Sequence, residues 1–354
     1  MKHEEIVAWL READDGRLAE LWRAADQRRR ECVGDVVHLR GLVEISSHCA
    51  RFCAYCGLRA PNGSLTRYRL TMDEVMVCVH NAVRMDCGTV VLQAGEDPAL
   101  EARWVAELIR RIRSEANAAV TLSLGEREVE ELACWKEAGA DRYLLRFETS
   151  NRDLYERIHP SRPGQVHADR VSLLRQLREL GYEVGSGVMV GIPGQTVHDL
   201  ARDIALFGEL DLDMIGSGPF IPHPDTPLGA LRRGQAGEVA EQVAADELTT
   251  YKVMALTRLT CPWSNIPATT ALAALNARQG RALGLCRGAN VIMPNFTTAE
   301  LRSRYEIYPD KSTGHLYEHP DDLKRMIRGL GRLTAAGRGD SPAFQRRQGG
   351  AAKL

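Results

Sequence analysis

The 354-residue sequence carries almost no net charge: 46 Lys and Arg stand against 47 Asp and Glu, a formal balance of −1. That excludes a chain-wide basic field for nucleic acid and leaves the mixed charges of an ordinary soluble surface. No apolar run approaches the roughly 18 residues of a membrane-spanning helix. The opening stretch MKHEEIVAWLREADD carries charges through its apolar positions, which is not the pattern of a signal-peptide core. Nine cysteines are an odd number without a secretory context, so a disulfide framework is disfavoured. A cytoplasmic location, where thiols stay reduced, is expected. Repeats at a solenoid period are also missing. What is present is a hydrophobic content of 44%, ample for a core. The length suits two average domains or one α/β barrel of about 250 residues with extensions.

The stretch 45–59, ISSHCARFCAYCGLR, sets Cys49, Cys53 and Cys56 in CxxxCxxC spacing directly after an apolar run at 41–45 that reads as a strand. Thiolates are soft ligands for zinc or iron–sulfur clusters, yet a closed structural site wants four protein ligands and no nearby fourth is evident. His48 adjoins Cys49, but sequence neighbours on one loop rarely converge on a single tetrahedral ion. One corner therefore stays open. An open iron on a four-iron cluster can bind the amino and carboxylate groups of S-adenosylmethionine (SAM). CxxxCxxC is the signature of the radical SAM superfamily, and Tyr55 before the third thiol also fits that pattern.

Apolar positions Ile6, Trp9, Leu10, Leu18, Leu21 and Trp22 recur at helical intervals, as two helices joined near 14–16 that would close one end of the main domain. Thr71 followed by Glu74 reads as a capping box opening an amphipathic helix over 71–87. Strand candidates at 42–46, 89–93, 119–124, 142–147, 184–190, 214–220, 265–269 and 289–294 alternate with helical runs at 100–116, 126–138, 166–180, 196–210, 238–259, 270–279 and 298–305. Eight such units predict an α/β fold, a complete (β/α)8 TIM barrel whose active face lies at the strand C-terminal ends, where the thiol loop falls. The expected organisation is an N-terminal helical cap over 1–36, the barrel over 37–310 and an extension over 311–354. The extension holds a short helix at 320–333 and an Arg-, Gly- and Gln-rich tail from 335 that is expected to be mobile.

A barrel core is filled by branched apolar side chains, so polar residues at strand exits ask for a reason. Gln93, Gly95, Glu96 and Asp97 follow the second strand, Thr121 and Ser123 lie on the third, and Arg146 and Glu148 on the fourth. Later exits carry Gly194 and Gln195, the run 219–226, Thr269 and Thr270, and Met293 to Asn295. SAM would need acceptors, which Glu96 and Glu148 offer, and a cation for its carboxylate, which Arg146 or Arg170 offers. The glycines allow close backbone approach. A lone Glu or Arg at a strand end is as often an ordinary ion pair; joint placement behind three thiols argues for a site.

The segments HLRGLVEISSHCARFCAYCGLRAPNGSLTRYRLT, VVLQAGEDP, VTLSLGE, DRYLLRFETSN, VMVGIPGQT, GPFIPHPDTPL, SNIPATTAL and ANVIMPNFT together resemble the HydE-type maturases of FeFe hydrogenase, over about 40–311. Biotin synthase and methylornithine synthase are the nearest relatives of that family. The resemblance implies that Cys49, Cys53 and Cys56 bind one 4Fe-4S cluster whose fourth iron chelates SAM. It implies reductive cleavage of SAM to methionine and a 5′-deoxyadenosyl radical. Tyr55, Gln93, Gly95, Glu96, Ser123 and Glu148 would lie around SAM, and Arg170, or Arg162 in its place, would bind the carboxylate. The substrate pocket would comprise Arg40, Thr121, Arg146, Thr269, Thr270 and Met293, with Tyr305 and Tyr308 near its floor.

The same resemblance implies work on the two-iron subcluster of the hydrogenase, on a cysteine-bound iron carbonyl cyanide precursor, with other maturases and an external reductant as partners. Many members of the family bind a peripheral cluster through cysteines after the segment matching YEIYPDK; 312–322 holds none, so one cluster is expected here. Two other readings stay open. One is a different radical SAM reaction on a small molecule, such as methylornithine-synthase-like rearrangement or biotin-synthase-like chemistry. The second cluster of biotin synthase has no matching motif among Cys32, Cys78, Cys87, Cys134, Cys261 and Cys286, which read mostly as core. The other is a non-enzymatic iron–sulfur carrier or scaffold.

Overall fold

The computed structural model describes residues 1–161, 169–231, 240–309, 311, 319–335 and 337–351. Its strands are β1 (Val36–Ser46), β2 (Thr89–Ala94), β3 (Ala119–Ser123), β4 (Arg142–Leu144), β5 (Glu183–Ser186), β6 (Met189–Val190), β7 (Met214–Ile215), β8 (Gly218–Pro219), β9 (Val291–Ile292) and β10 (Leu333–Ala335). Seven of them, in the order β9-β1-β2-β3-β4-β5-β7, form a curled parallel sheet with helices outside. The helix Ala102–Glu115 shows why the helices pack there: Val105, Ala106, Leu108, Ile109 and Ile112 make one buried apolar stripe. That stripe belongs to the same core as Val90, Leu92, Val120 and Leu122 of β2 and β3, and each such side chain contributes about 1.5–3 kcal/mol on burial. The capping box at Thr71 and Glu74 is present, with each side chain bonded to the other's backbone N–H.

Among the described residues the eighth strand expected to complete the barrel is not formed as a regular strand. The segment expected as a strand at 265–269 makes only isolated parallel bridges, Asn265 to Met214 and Pro267 to Val291. Pro267 has no N–H to extend a ladder. The expected strands at 184–190 and 214–220 each break in two, and β6 pairs with β8 in a separate two-stranded sheet. The break falls where Gly187 lies against the Gly216 carbonyl; a Cβ on Gly187 would sit 1.8 Å from that oxygen. Sequence periodicity reports neither contact.

The ends of the chain also depart from expectation. Helices His3–Arg11 and Asp15–Val33 pack against Val197–Glu209 and Glu247–Thr260. There Lys252 Nζ donates to the carbonyls of Leu10 at 3.1 Å and Glu12 at 2.5 Å. The closure comes from the C-terminal segment. β10 pairs with the start of β1, and residues 337–341, placed in the mobile tail by composition, plug the N-terminal end of the sheet. The Gly339 carbonyl accepts from Arg40 and Asn265, both at 3.0 Å. The Arg338 carbonyl accepts from Thr89 at 2.6 Å and Arg142 at 2.9 Å, and Asp340 pairs with Arg142. Buried Arg40 and Arg142 need these acceptors, because an unpaired buried cation is costly.

His38 sits beside this plug. Burial first, then Arg40 and Arg142, push it down to about 4, with Asp340 opposing. The unfolded chain takes a proton near pH 6.5 and the folded chain resists it until about 4, so stability is lost as pH falls through that window. His38→Gln should shrink the fall in Tm between about pH 7 and about pH 5 by roughly 2 °C in calorimetry; an unchanged fall would contradict this.

Candidate active site

The thiol loop leaves β1 and is tied down on several sides. Ala50 N donates to Glu96 O beyond β2, Ala54 N to Ile158 O at the end of a helix, and Gly57 N to Ile307 O. The Arg67 guanidinium gathers the carbonyls of Ser47, Leu58, Arg59 and Asn62. Ser46 and Arg69 both bond the buried carboxylate of Asp97, at 2.6 Å each. Gly95 permits the closest approach: a Cβ there would lie 2.3 Å from His48 O and 2.7 Å from Cys49 Cβ.

Burial pushes the Cys53 thiol up to about 12, against the pull of Arg170 and Arg51, and raises Cys49 and Cys56 as well. The three share one space, for Cys49 adds to the shift of Cys53, and Cys53 and Cys49 both add to that of Cys56. Among the described residues no three His, Cys, Asp or Glu group as ligands of a single ion. Neighbouring thiols that do not converge on one point suit a cluster in which each sulfur meets its own iron better than they suit zinc.

Next to the thiols lies a ring of charges. Glu126 takes Arg51 at 3.1 Å and Arg170 at 2.7 Å, and Glu96 lies 3.5 Å from Arg51. Arg170, the first residue of its helix, also donates to Arg146 O at 2.7 Å and stacks on Tyr155. The cation expected to meet a SAM carboxylate therefore already carries Glu126, which was not singled out. Arg162 lies outside the described residues. Tyr55 OH meets His159 Nε2 at 3.0 Å, and Glu148 shifts Tyr55 upward after burial does. Glu148 Oε2 lies 3.0 Å from the Arg146 guanidinium, an ion pair made without hydrogen-bond geometry.

Inside the sheet, alternation sorts the strand residues into rungs. Glu44, Gln93 and Ser123 are register partners, as are Leu42, Val91 and Thr121 one rung lower. Thr121 is buried with its hydroxyl unpartnered. Leu42, Thr270, Met293, Pro294, Asn295, Arg281 and Lys311 line a narrow cleft, partly open to solvent. Lys311 pairs with the fully buried Glu44 and lies over the Tyr305 ring. Tyr305 in turn is raised by burial, then Glu44, Tyr68, Cys56 and Cys49, which places it between cleft and thiols. Tyr308 feels Glu44, Arg146 and Arg281. Thr269 bonds Ser217 O at 3.4 Å. Arg40 is not brought here: it pairs in register with Thr89, at the start of β2, and faces the plug. Glu44, Arg281 and Lys311 escaped sequence reasoning, whereas Asn295 stands among the strand-exit residues. Glu44 could have been found, because His38, Arg40, Leu42 and Glu44 make a largely polar row at period two within one strand.

Residues 43–207 match the Radical SAM superfamily. The chain is 46% identical over 298 residues to the [FeFe] hydrogenase maturase subunit HydE of Thermotoga maritima, covering 84% of this chain and 81% of that one. This chain belongs to the HydE family of radical SAM enzymes. It is also 26% identical over 350 residues to 3-methylornithine synthase of Methanosarcina acetivorans, covering 98% and 91% of the two chains. The crystal structure of methylornithine synthase shares the fold, with a TM-score of 0.79 at 23% identity over 94% of both chains. The superfamily works with a 4Fe-4S cluster and SAM, and the donors present fit both. Three neighbouring thiols suit the cluster, and the buried Glu148 carboxylate, which is held by an ion pair through Oε2 but makes no hydrogen bond through that oxygen, suits a polar ligand beside it.

Two alanine substitutions separate close packing from general loop sensitivity. Gly95→Ala should push the thiol loop away and lower iron bound after anaerobic reconstitution severalfold, whereas Gly63→Ala, with nothing within 4 Å, should leave it unchanged. Equal iron contents would show that the contact at Gly95 does not shape the site.

Proposed function

We propose that Cys49, Cys53 and Cys56 hold the 4Fe-4S cluster and that the protein acts in assembly of the two-iron subcluster of FeFe hydrogenase. Reduced and bound there, the cluster supplies the electron that cleaves SAM to methionine and a 5′-deoxyadenosyl radical. The substrate is an iron carbonyl cyanide complex carried on cysteine and handed over by a partner maturase, with an external reductant as the second partner. The location is cytoplasmic, in keeping with nine free cysteines and with the lack, among the described residues, of any helix long and apolar enough to cross a membrane.

The observation that carries this reading is the cleft that opens beside the thiols. Arg281 and Lys311 line it, Lys311 in a pair with buried Glu44, and Arg146, paired with Glu148, lies near enough to act on Tyr308. Guanidinium and ammonium donors on one wall are the chemistry that binds a ligand with several acceptor atoms. Thr270 and Asn295 add polar groups to the same wall, and Met293 and Leu42 supply apolar surface. Glu148, Glu96 and the Gln93–Ser123 rung would receive SAM between thiols and cleft. Enclosure by the sheet keeps water and stray hydrogen donors from a carbon radical and holds the substrate near it. Tyr305, buried between the two regions, would form the wall that both ligands touch.

Arg146→Ala should retain cluster content and uncoupled formation of 5′-deoxyadenosine within about threefold, yet reduce hydrogenase maturation by about a hundredfold, as loss of a substrate-binding cation would. Loss of the cluster would instead assign Arg146 to the scaffold. A wild-type protein that forms no 5′-deoxyadenosine under reducing conditions would be a carrier rather than an enzyme.

A further inference from the structure

Glu148 is buried and has φ +65°, the left-handed region that a residue with a side chain adopts only when its surroundings impose it. Its own backbone bonds tie it to one side: Glu148 N donates to Gly187 O at 3.1 Å, and Glu148 O accepts from Met189 N at 3.2 Å. On the other side the chain turns at once, with Thr149 N on Phe147 O at 2.8 Å. What holds that turn is a carboxylate on the helix Val197–Glu209. Asp203 Oδ1 accepts from both the backbone N and the hydroxyl of Ser150, at 2.5 and 2.6 Å.

Asp203 is fully buried, and among the described residues its hydrogen-bond partners are uncharged: Ser150 and, at 3.4 Å, Gln195 Nε2. A buried carboxylate facing no cation is costly unless its hydrogen bonds secure something. Gln195 extends the clamp. Its Oε1 accepts from Gly191 N at 2.8 Å and Ile192 N at 3.3 Å, and its Nε2 donates to Met189 O at 3.1 Å. Asp203 thus grips the residues after Glu148 directly and, through Gln195, the strand that backs it.

We propose that Asp203 is a positioning residue that holds Glu148 in its left-handed conformation, aiming the Glu148 carboxylate into the site and thereby setting the affinity for SAM. The inference rests on the reading of Glu148 as a SAM contact. A residue that acts only through Glu148 should lose its effect once Glu148 is altered, which a general loss of packing would not do.

The test is a double-mutant cycle on the full-length, iron-reconstituted protein, reading the SAM dissociation constant by anaerobic titration. Glu148→Gln and Asp203→Asn should each weaken SAM about tenfold with iron content unchanged, and the double variant should be no more than about twofold weaker than Glu148→Gln alone. Should Asp203→Asn fail to fold or to take up iron, Ser150→Ala replaces it in the cycle under the same requirement of non-additivity. If Glu148→Gln weakens SAM but the second substitution has no effect, or the two effects multiply, Asp203 is not acting through Glu148. If Glu148→Gln itself leaves SAM binding unchanged, the reading of Glu148 fails, and this inference with it.

Discussion

The crowding of three thiols at the exit of one strand, Cys53 buried and Cys49 and Cys56 partly so, is the constraint to which the surrounding structure answers. Loss of water around them makes all three resist ionisation, Cys53 up to about 12. A bound metal reverses that preference, because a coordinated thiol gives up its proton. Until then the loop gains little from its own chemistry and must be held by others. Backbone bonds to Glu96, Ile158 and Ile307, the Arg67 guanidinium and the absent side chain of Gly95 supply that support. Preorganisation of this kind means that metal binding need not order the loop from a coil.

The charges inside the sheet divide by end. At the N-terminal end Arg40, Arg142 and Glu183 are answered by residues 338–341, so that end is sealed by protein. At the C-terminal end Glu126 answers Arg51 and Arg170 and Glu148 pairs with Arg146, while the buried Thr121 hydroxyl has no hydrogen-bond partner and a cleft opens beside Arg281 and Lys311. Among the described residues this second end is the one where polar groups surround an open cleft, and it is the end where the thiols lie. The polarity of a parallel sheet and the placement of the C-terminal segment therefore produce one site rather than two.

Local patterns carried much of this into the sequence. The CxxxCxxC spacing, the Thr71 and Glu74 cap and the alternation of strands with helices depend on near neighbours, and each is legible. The polar rungs were legible in part: Gln93 and Ser123 stood out, whereas Glu44 in the same rung was hidden inside a strand taken as apolar. Three kinds of feature could not be read because they depend on distant chain. The plug at 337–341 looks like a tail until Arg40 and Arg142 are seen to need acceptors. The missing ladder at Pro267 and the kink at Gly187 depend on what lies opposite. The engagement of Arg170 with Glu126 joins the start of a helix to a loop 44 residues earlier.

The most direct measurement is anaerobic reconstitution with iron and sulfide, with iron counted per chain and the reduced protein followed by electron paramagnetic resonance before and after SAM is added. The account predicts about four irons per chain and a reduced-cluster signal that changes when SAM binds the open iron. Zinc in place of iron, or a cluster signal indifferent to SAM, would contradict it.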